Sequence, residues 1–347
     1  MTKTRFRFIL LAILAIFIFS AEGFMIPSSA SARPSDEEET YDDQDSDTDT
    51  EEEGNDADAD DEEEEGEEEF DPDTPIPDPE RVSGARLQTK DSILLSATYF
   101  PGNRGKKSVP VILLHDWQGK RADVEVLAKE LQAQGCAVLI PDLRGHGKSN
   151  RRLIGQENTE TFSAMERITP GDLREIVEFD LPCLKKFFMQ QNNSGRVNID
   201  KLCVGGVGFG GLAAAFFANS DWNPMVKRKK ANPGLGDVKG FFIVSPPRNL
   251  KGIRFIDALS NPNWAASVSC IVISGSGKDK KFLKPMEAQV KKFCGREAME
   301  RCWFRTYESK DEGADLIQDA QSDAVLDILA FVDLRCAKRD LLWKNRR

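Results

Sequence analysis

The chain of 347 residues has two histidines, three tyrosines and seven cysteines without a single C-x-x-C spacing. Each shortage removes a class of protein. The odd set of thiols, Cys136, Cys183, Cys203, Cys270, Cys294, Cys302 and Cys336, argues against a disulfide framework or a zinc module; only Cys294 and Cys302 are candidates for pairing in an oxidising compartment. His115 and His146 lack the i, i+4 spacing of a ligand set, so no metal and no cofactor is expected. From Asp36 to Glu80 there is no lysine or arginine and almost nothing apolar, while 27 residues are acidic. Such a stretch cannot bury enough surface to offset its ordering entropy.

What is present divides the chain in three. Lys3, Arg5 and Arg7 precede an apolar run, Phe8 to Phe19, and Ala30-Ser31-Ala32 follows as a small-residue cleavage site. That order reads as a secretory signal over residues 1–32, so export to a periplasmic or extracellular space is expected; left uncleaved, the run would be a membrane tether. Residues 33–80 form the acidic arm, read first as a solvated, self-repelling spacer and second as a screen or a trap for cations. Residues 81–347 hold 43 lysines and arginines against 30 acids, a basic body hidden by the whole-chain charge of −11.

The body alternates strand and helix patterns. Arg86 to Thr89 and Ile93 to Tyr99 flank a Lys90-Asp91-Ser92 turn as an antiparallel pair. Continuous apolar runs follow at Val109 to His115, Cys136 to Pro141, Leu202 to Val207, Val238 to Val244, Val268 to Ser274 and Cys302 to Tyr307, the mark of strands buried on both faces. Helical spacing separates them at Ala122 to Gln134, from Thr169-Pro170-Gly171-Asp172 through Phe187 with a kink at Pro182, at Leu212 to Ala218, at Leu283 to Phe293 and at Ser322 to Leu342. The pattern predicts an α/β fold: one domain, mostly parallel sheet, helices on both faces, antiparallel entry strands and no large cap domain. The long polar stretch from Leu143 to Ile168 is the candidate lid.

Two motifs carry a resemblance. Val111-Ile112-Leu113-Leu114-His115-Asp116-Trp117-Gln118-Gly119 and Ile140-Pro141-Asp142-Leu143-Arg144-Gly145-His146-Gly147-Lys148-Ser149 stand ahead of a strand-turn-helix at Val204-Gly205-Gly206-Val207-Gly208-Phe209-Gly210-Gly211. In order and spacing the chain resembles the α/β-hydrolase superfamily, nearest the serine aminopeptidase and lysophospholipase-like esterases, over most of residues 83 to 335. The resemblance implies a nucleophile elbow at Gly206 to Gly210 whose central residue is Gly208 where a serine is usual. It implies backbone amides at Trp117 and Phe209 for an oxyanion, a triad acid at Asp279, and a base position occupied by Glu312 in place of histidine. Asp116 stands where glycine is usual and puts a carboxylate beside the two amides, where it would oppose an anion. His115 and Asp116 are pocket candidates, with packing the favoured role for both histidines.

The triad is therefore expected to be degenerate. Gly208, Asp279 and Glu312 lack a nucleophile and a downstream histidine, which points to a binding or scaffold module whose partner is an unidentified small molecule or an anionic polymer. Two rivals stand beside it. One is a hydrolase of esters or peptides that activates water with Glu312, Asp279 or Asp116. The other is an electrostatic binder of anionic envelope polymers through Lys227-Arg228-Lys229-Lys230 and Lys278 to Lys284, with nucleic acid an unexpected target for an exported chain. By the same alignment, serine at 208 with histidine at 312 would restore weak esterase activity.

Overall fold

The computed structural model describes residues 74–346 apart from 156–157, 165–167, 223–235, 248–249, 251, 260–266 and 276–279. The signal, the arm as far as residue 73, the basic run at 227–230 and Asp279 lie outside the described residues.

Ten strands among the described residues form one sheet: β1 Glu80–Gln88, β2 Ile93–Phe100, β3 Pro110–Leu114, β4 Ala137–Pro141, β5 Arg151–Ile154, β6 Asn158–Thr161, β7 Cys203–Val207, β8 Gly240–Val244, β9 Ser269–Ser274 and β10 Cys302–Thr306. Their order is β10-β9-β8-β7-β3-β4-β2-β5-β6, with β1 also on β2. Neighbours from β10 through β4 are parallel, and β1, β2, β5 and β6 pair antiparallel. The helices are α1 Glu125–Ala133, α2 Pro170–Glu175, α3 Leu181–Asn193, α4 Gly208–Asp221, α5 Lys280–Met299 and α6 Asp323–Val332.

Successive side chains of a strand point to opposite faces, and the parallel strands supply two cores. Ile112, Leu114, Leu139, Val204, Ile243 and Val272 face Phe187, Phe188, Leu212 and Val290; Val111, Leu113, Val138, Ile271 and Ile273 face Leu127, Leu131, Val325 and Ile328. The glycine run lets α4 lie unusually close to the sheet. A Cβ on Gly210 would collide with the carbonyl of His115, and one on Gly211 with the side chain of Ile243.

Three expectations change in the structure. The Leu143 to Ile168 stretch supplies a hairpin, β5 and β6, that extends the sheet beside β2, because Arg151 and Arg152 pair with Leu94 and Ile93. Pro182 follows a wide turn at Ile176–Asp180 that joins α2 to α3. The last helix stops well short of Leu342: after a wide turn at Asp333–Ala337 the chain runs on as an irregular strap. Backbone carbonyls of that strap are held from afar, Leu341 by Asn198 Nδ2 at 2.8 Å and Lys344 by Asn192 Nδ2 at 2.9 Å. Arg346 closes the strap with ion pairs to Asp200 and Asp237.

Cys136, Cys203 and Cys270 are buried in or next to strands, and Cys302 is a free thiol in register with Cys270 across β9 and β10. The side chain of Cys294 lies outside the described residues.

Candidate functional site

β7 ends at Val207 and the chain enters α4 through Gly208 at φ +52°, a left-handed conformation that costs any residue with a Cβ. The turn lies at the C-terminal edge of the sheet beside the end of β3, from which His115, Asp116 and Trp117 continue. Asp116 folds its carboxylate over the turn. Its Oδ1 accepts the backbone N–H of Trp117 at 2.8 Å and that of Phe209 at 2.8 Å. These are the two amides that the resemblance assigns to an oxyanion, and they converge on one oxygen of the chain itself.

The same carboxylate takes the space of an elbow side chain. A Cβ built on Gly208 would stand 2.5 Å from Oδ2 and closer still to Cγ and Oδ1. The expected picture of a carboxylate beside the amides gives way to a carboxylate between them. Glycine at 208 leaves the room, and two charge-assisted hydrogen bonds replace the water that the oxygen gives up.

The donors are fixed by packing. Trp117 is 4% exposed and Phe209 2%, and their rings meet edge to face at 5.1 Å. His146 stands against Trp117 at 4.9 Å and against His115 at 5.5 Å. His115 is fully buried and uses both ring nitrogens: Nδ1–H donates to the Asp116 carbonyl at 2.6 Å, and Nε2 accepts the Leu143 N–H at 3.1 Å. Those bonds need a neutral ring, and burial holds its pKa below the usual histidine value.

Because the folded pKa is depressed, this stability is whole above the unfolded value near 6.5 and shrinks as pH falls below it. The melting temperature is expected to drop more between pH 7 and 5 in the natural chain than in His115→Asn, measured by circular dichroism. Parallel pH profiles for the two would show that another group carries the effect.

Glu312, which the resemblance places at the base position, is exposed. The next residue, Gly313, donates its N–H to Ser245 Oγ at 2.8 Å at the end of β8, and a Cβ on Gly313 would come within 3.9 Å of Val207. Ser245, at φ +53°, was not legible as part of this edge; an isolated serine after a strand gives no signal.

The second motif is a scaffold. Asp142 binds Arg121 Nε at 2.8 Å and the Lys148 N–H at 2.9 Å, while Ser149 Oγ accepts the Ser96 N–H at 2.9 Å. Arg144, 4% exposed, reaches Asp180 through Nη2 at 2.5 Å and Nε at 3.0 Å, Asp91 at 2.9 Å and Glu175 at 2.6 Å. Burial pushes the Asp180 carboxyl up to about 6, further than the Arg144 charge pulls it down. Sequence reasoning gave Arg144 no role, since its three partners are scattered from residue 91 to 180.

Among the described residues no cluster of three or more histidine, cysteine, aspartate or glutamate side chains could hold a metal ion. An open cavity of about 370 Å³ lies at the other edge of the sheet, lined by Arg104, Gln134, Leu326, Leu329, Ala330 and Asp333.

The sequence matches no protein-family model and no curated protein. The fold is similar to solved esterases. One from Pyrococcus furiosus is 14% identical with a TM-score of 0.50, covering 75% of this chain and 93% of its own. An esterase from Pyrobaculum calidifontis is 16% identical with a TM-score of 0.50, covering 76% of this chain and 87% of its own. Thermogutta terrifontis esterase 2 is 13% identical with a TM-score of 0.51, covering 75% of this chain and 94% of its own. With its parallel sheet, flanking helices and antiparallel entry, the chain has the α/β-hydrolase fold.

Proposed function

We propose that the chain is an exported protein of α/β-hydrolase fold, nearest in motif to the serine aminopeptidase and lysophospholipase-like esterases, that does not work as a serine hydrolase and serves as a binding or scaffold module. One observation carries the reading. Asp116 occupies both the two-amide nest and the place of the elbow side chain, so a carbonyl oxygen has no donors to meet and no nucleophile to meet it. An esterase of this fold needs both at once. Without the triad, an open oxyanion hole and binding would still leave about 10³ to 10⁴ over water, and with the hole filled even that contribution falls.

A fluorophosphonate probe is expected to leave every serine of the full chain unlabelled, and short-chain p-nitrophenyl esters are expected to hydrolyse at the rate of the buffer. Stoichiometric labelling of one serine, mapped by mass spectrometry, would overturn the reading.

A further inference from the structure

We infer that Cys270 and Cys302 are a disulfide-forming pair, a covalent tie between β9 and the edge strand β10 that forms when the chain meets a small-molecule disulfide. The sequence offered Cys294 as the partner of Cys302; the sheet supplies another. The inference holds whether or not the turn at Gly208 binds or catalyses anything.

β9 and β10 run parallel with Cys302 opposite Cys270 in register. Both side chains enter the same core, together with Val290 of α5, and the Cys270 thiol hydrogen-bonds that of Cys302. Neighbouring strands lie about 4.8 Å apart, inside the window of about 4.4–6.8 Å between the Cα atoms of natural disulfides. Beside the pair, the Cys270 N–H donates to the Arg301 carbonyl at 3.0 Å and fixes the register. Among the described residues β10 pairs with β9 alone, so it can draw in by the small amount that a sulfur–sulfur bond needs.

The two thiols have unequal roles. The hydrogen bond from Cys270, with the charges of Arg301 and Arg335, holds the Cys302 thiol below its usual value against the effect of burial. Cys302 is therefore the one that ionises and attacks. Its side chain is 4% exposed, and an edge strand opens more readily than a central one, which gives the oxidant its access. Cys203 and Cys336 also share a hydrogen bond, but Cys203 lies on the central strand β7 and burial pushes its thiol well above the usual range.

The Cys302 thiolate attacks one sulfur of the small disulfide, whose sulfur–sulfur bond breaks and releases one small thiolate. Cys270 then gives its proton to water and attacks Sγ of Cys302 in the mixed disulfide, expelling the second small thiolate. Two protein thiols lose two electrons, and one small disulfide is reduced to two thiols.

The test equilibrates the reduced full-length protein with oxidised glutathione, alkylates the remaining thiols and digests with trypsin without reduction. Cys270, Cys294 and Cys302 fall on separate peptides, 255–278, 293–296 and 302–305, so mass spectrometry reads the partner directly. A cross-link between peptides 255–278 and 302–305 is expected in most of the protein. Its absence overturns the proposal, as does Cys302 joined to Cys294 instead, or a cross-link of Cys203 to Cys336 alone. The oxidised protein is also expected to melt several degrees above the reduced one, because the tie closes the loop between residues 270 and 302 in the unfolded chain. Cys302→Ala should melt alike with and without oxidised glutathione, and a redox-dependent shift that survives in it overturns the tie.

Discussion

Glycine at 116, serine at 208 and histidine at 312, introduced together, are expected to give measurable hydrolysis of p-nitrophenyl acetate, while serine at 208 and histidine at 312 without the first change give none. The sequence alone suggested that the pair would suffice. The structure adds the third position, because a serine Cβ at 208 would stand only 2.4 Å from the Asp116 carboxyl carbon and the two amides that the resemblance assigns to an oxyanion would remain filled. The two-position variant must either expel Asp116 or distort the turn, at a cost of about 1–3 kcal/mol for overpacking and about 1–2 for a left-handed residue with a Cβ. Its melting temperature should fall below that of the natural chain. The three-position variant relieves the collision, frees two donors and supplies a base on the loop that already reaches Val207 through Gly313. A gain of about 10²-fold over the natural chain is expected, the lower end of what a positioned base contributes. If the two-position variant proves equally active, Asp116 does not close the site.

The second large effect lies at Arg144. Replacing it with methionine is expected to destabilise the domain by about 3–5 kcal/mol in urea denaturation at pH 8, because the 3%-exposed Asp180 is left as an uncompensated buried charge. The loss should be smaller near pH 5. A carboxyl whose folded pKa lies above its unfolded value contributes stability at low pH that is lost as pH rises through the folded value, and removing Arg144 raises that folded value beyond about 6. Adding Asp180→Leu to the methionine variant should recover much of the loss, since an apolar pair of similar volume carries no buried charge. A loss that does not depend on pH would assign the role of Arg144 to packing.

The parallel strands were legible because β3, β4, β7, β8 and β9 are buried along their whole length and leave runs without a single charged residue. The turn at Gly208 was legible as a turn. What Asp116 does there was not, since the decision to bond the Phe209 amide depends on a residue 93 positions away and on the absence of a side chain at 208. The same holds for the strap after Ala337. Leu341 and Leu342 continue a helical apolar period, yet the carbonyl of Leu341 is claimed by Asn198, 143 residues earlier. Local pattern loses where a distant side chain offers the backbone a partner. The exposed hairpin β5 and β6 failed for the opposite reason, having almost no apolar face to announce a strand.

The collision between position 208 and Asp116 also fixes an order of events. Along any path of single substitutions from an elbow that bears a serine to the present chain, glycine at 208 has to come before Asp116 can settle into the nest. Once aspartate is there, the reverse step at 208 meets an occupied space, and the step back at 116 alone restores no reaction. Neither change can be undone by itself with any gain, so the two positions are coupled: a side chain at 208 and a carboxylate folded over the turn exclude one another.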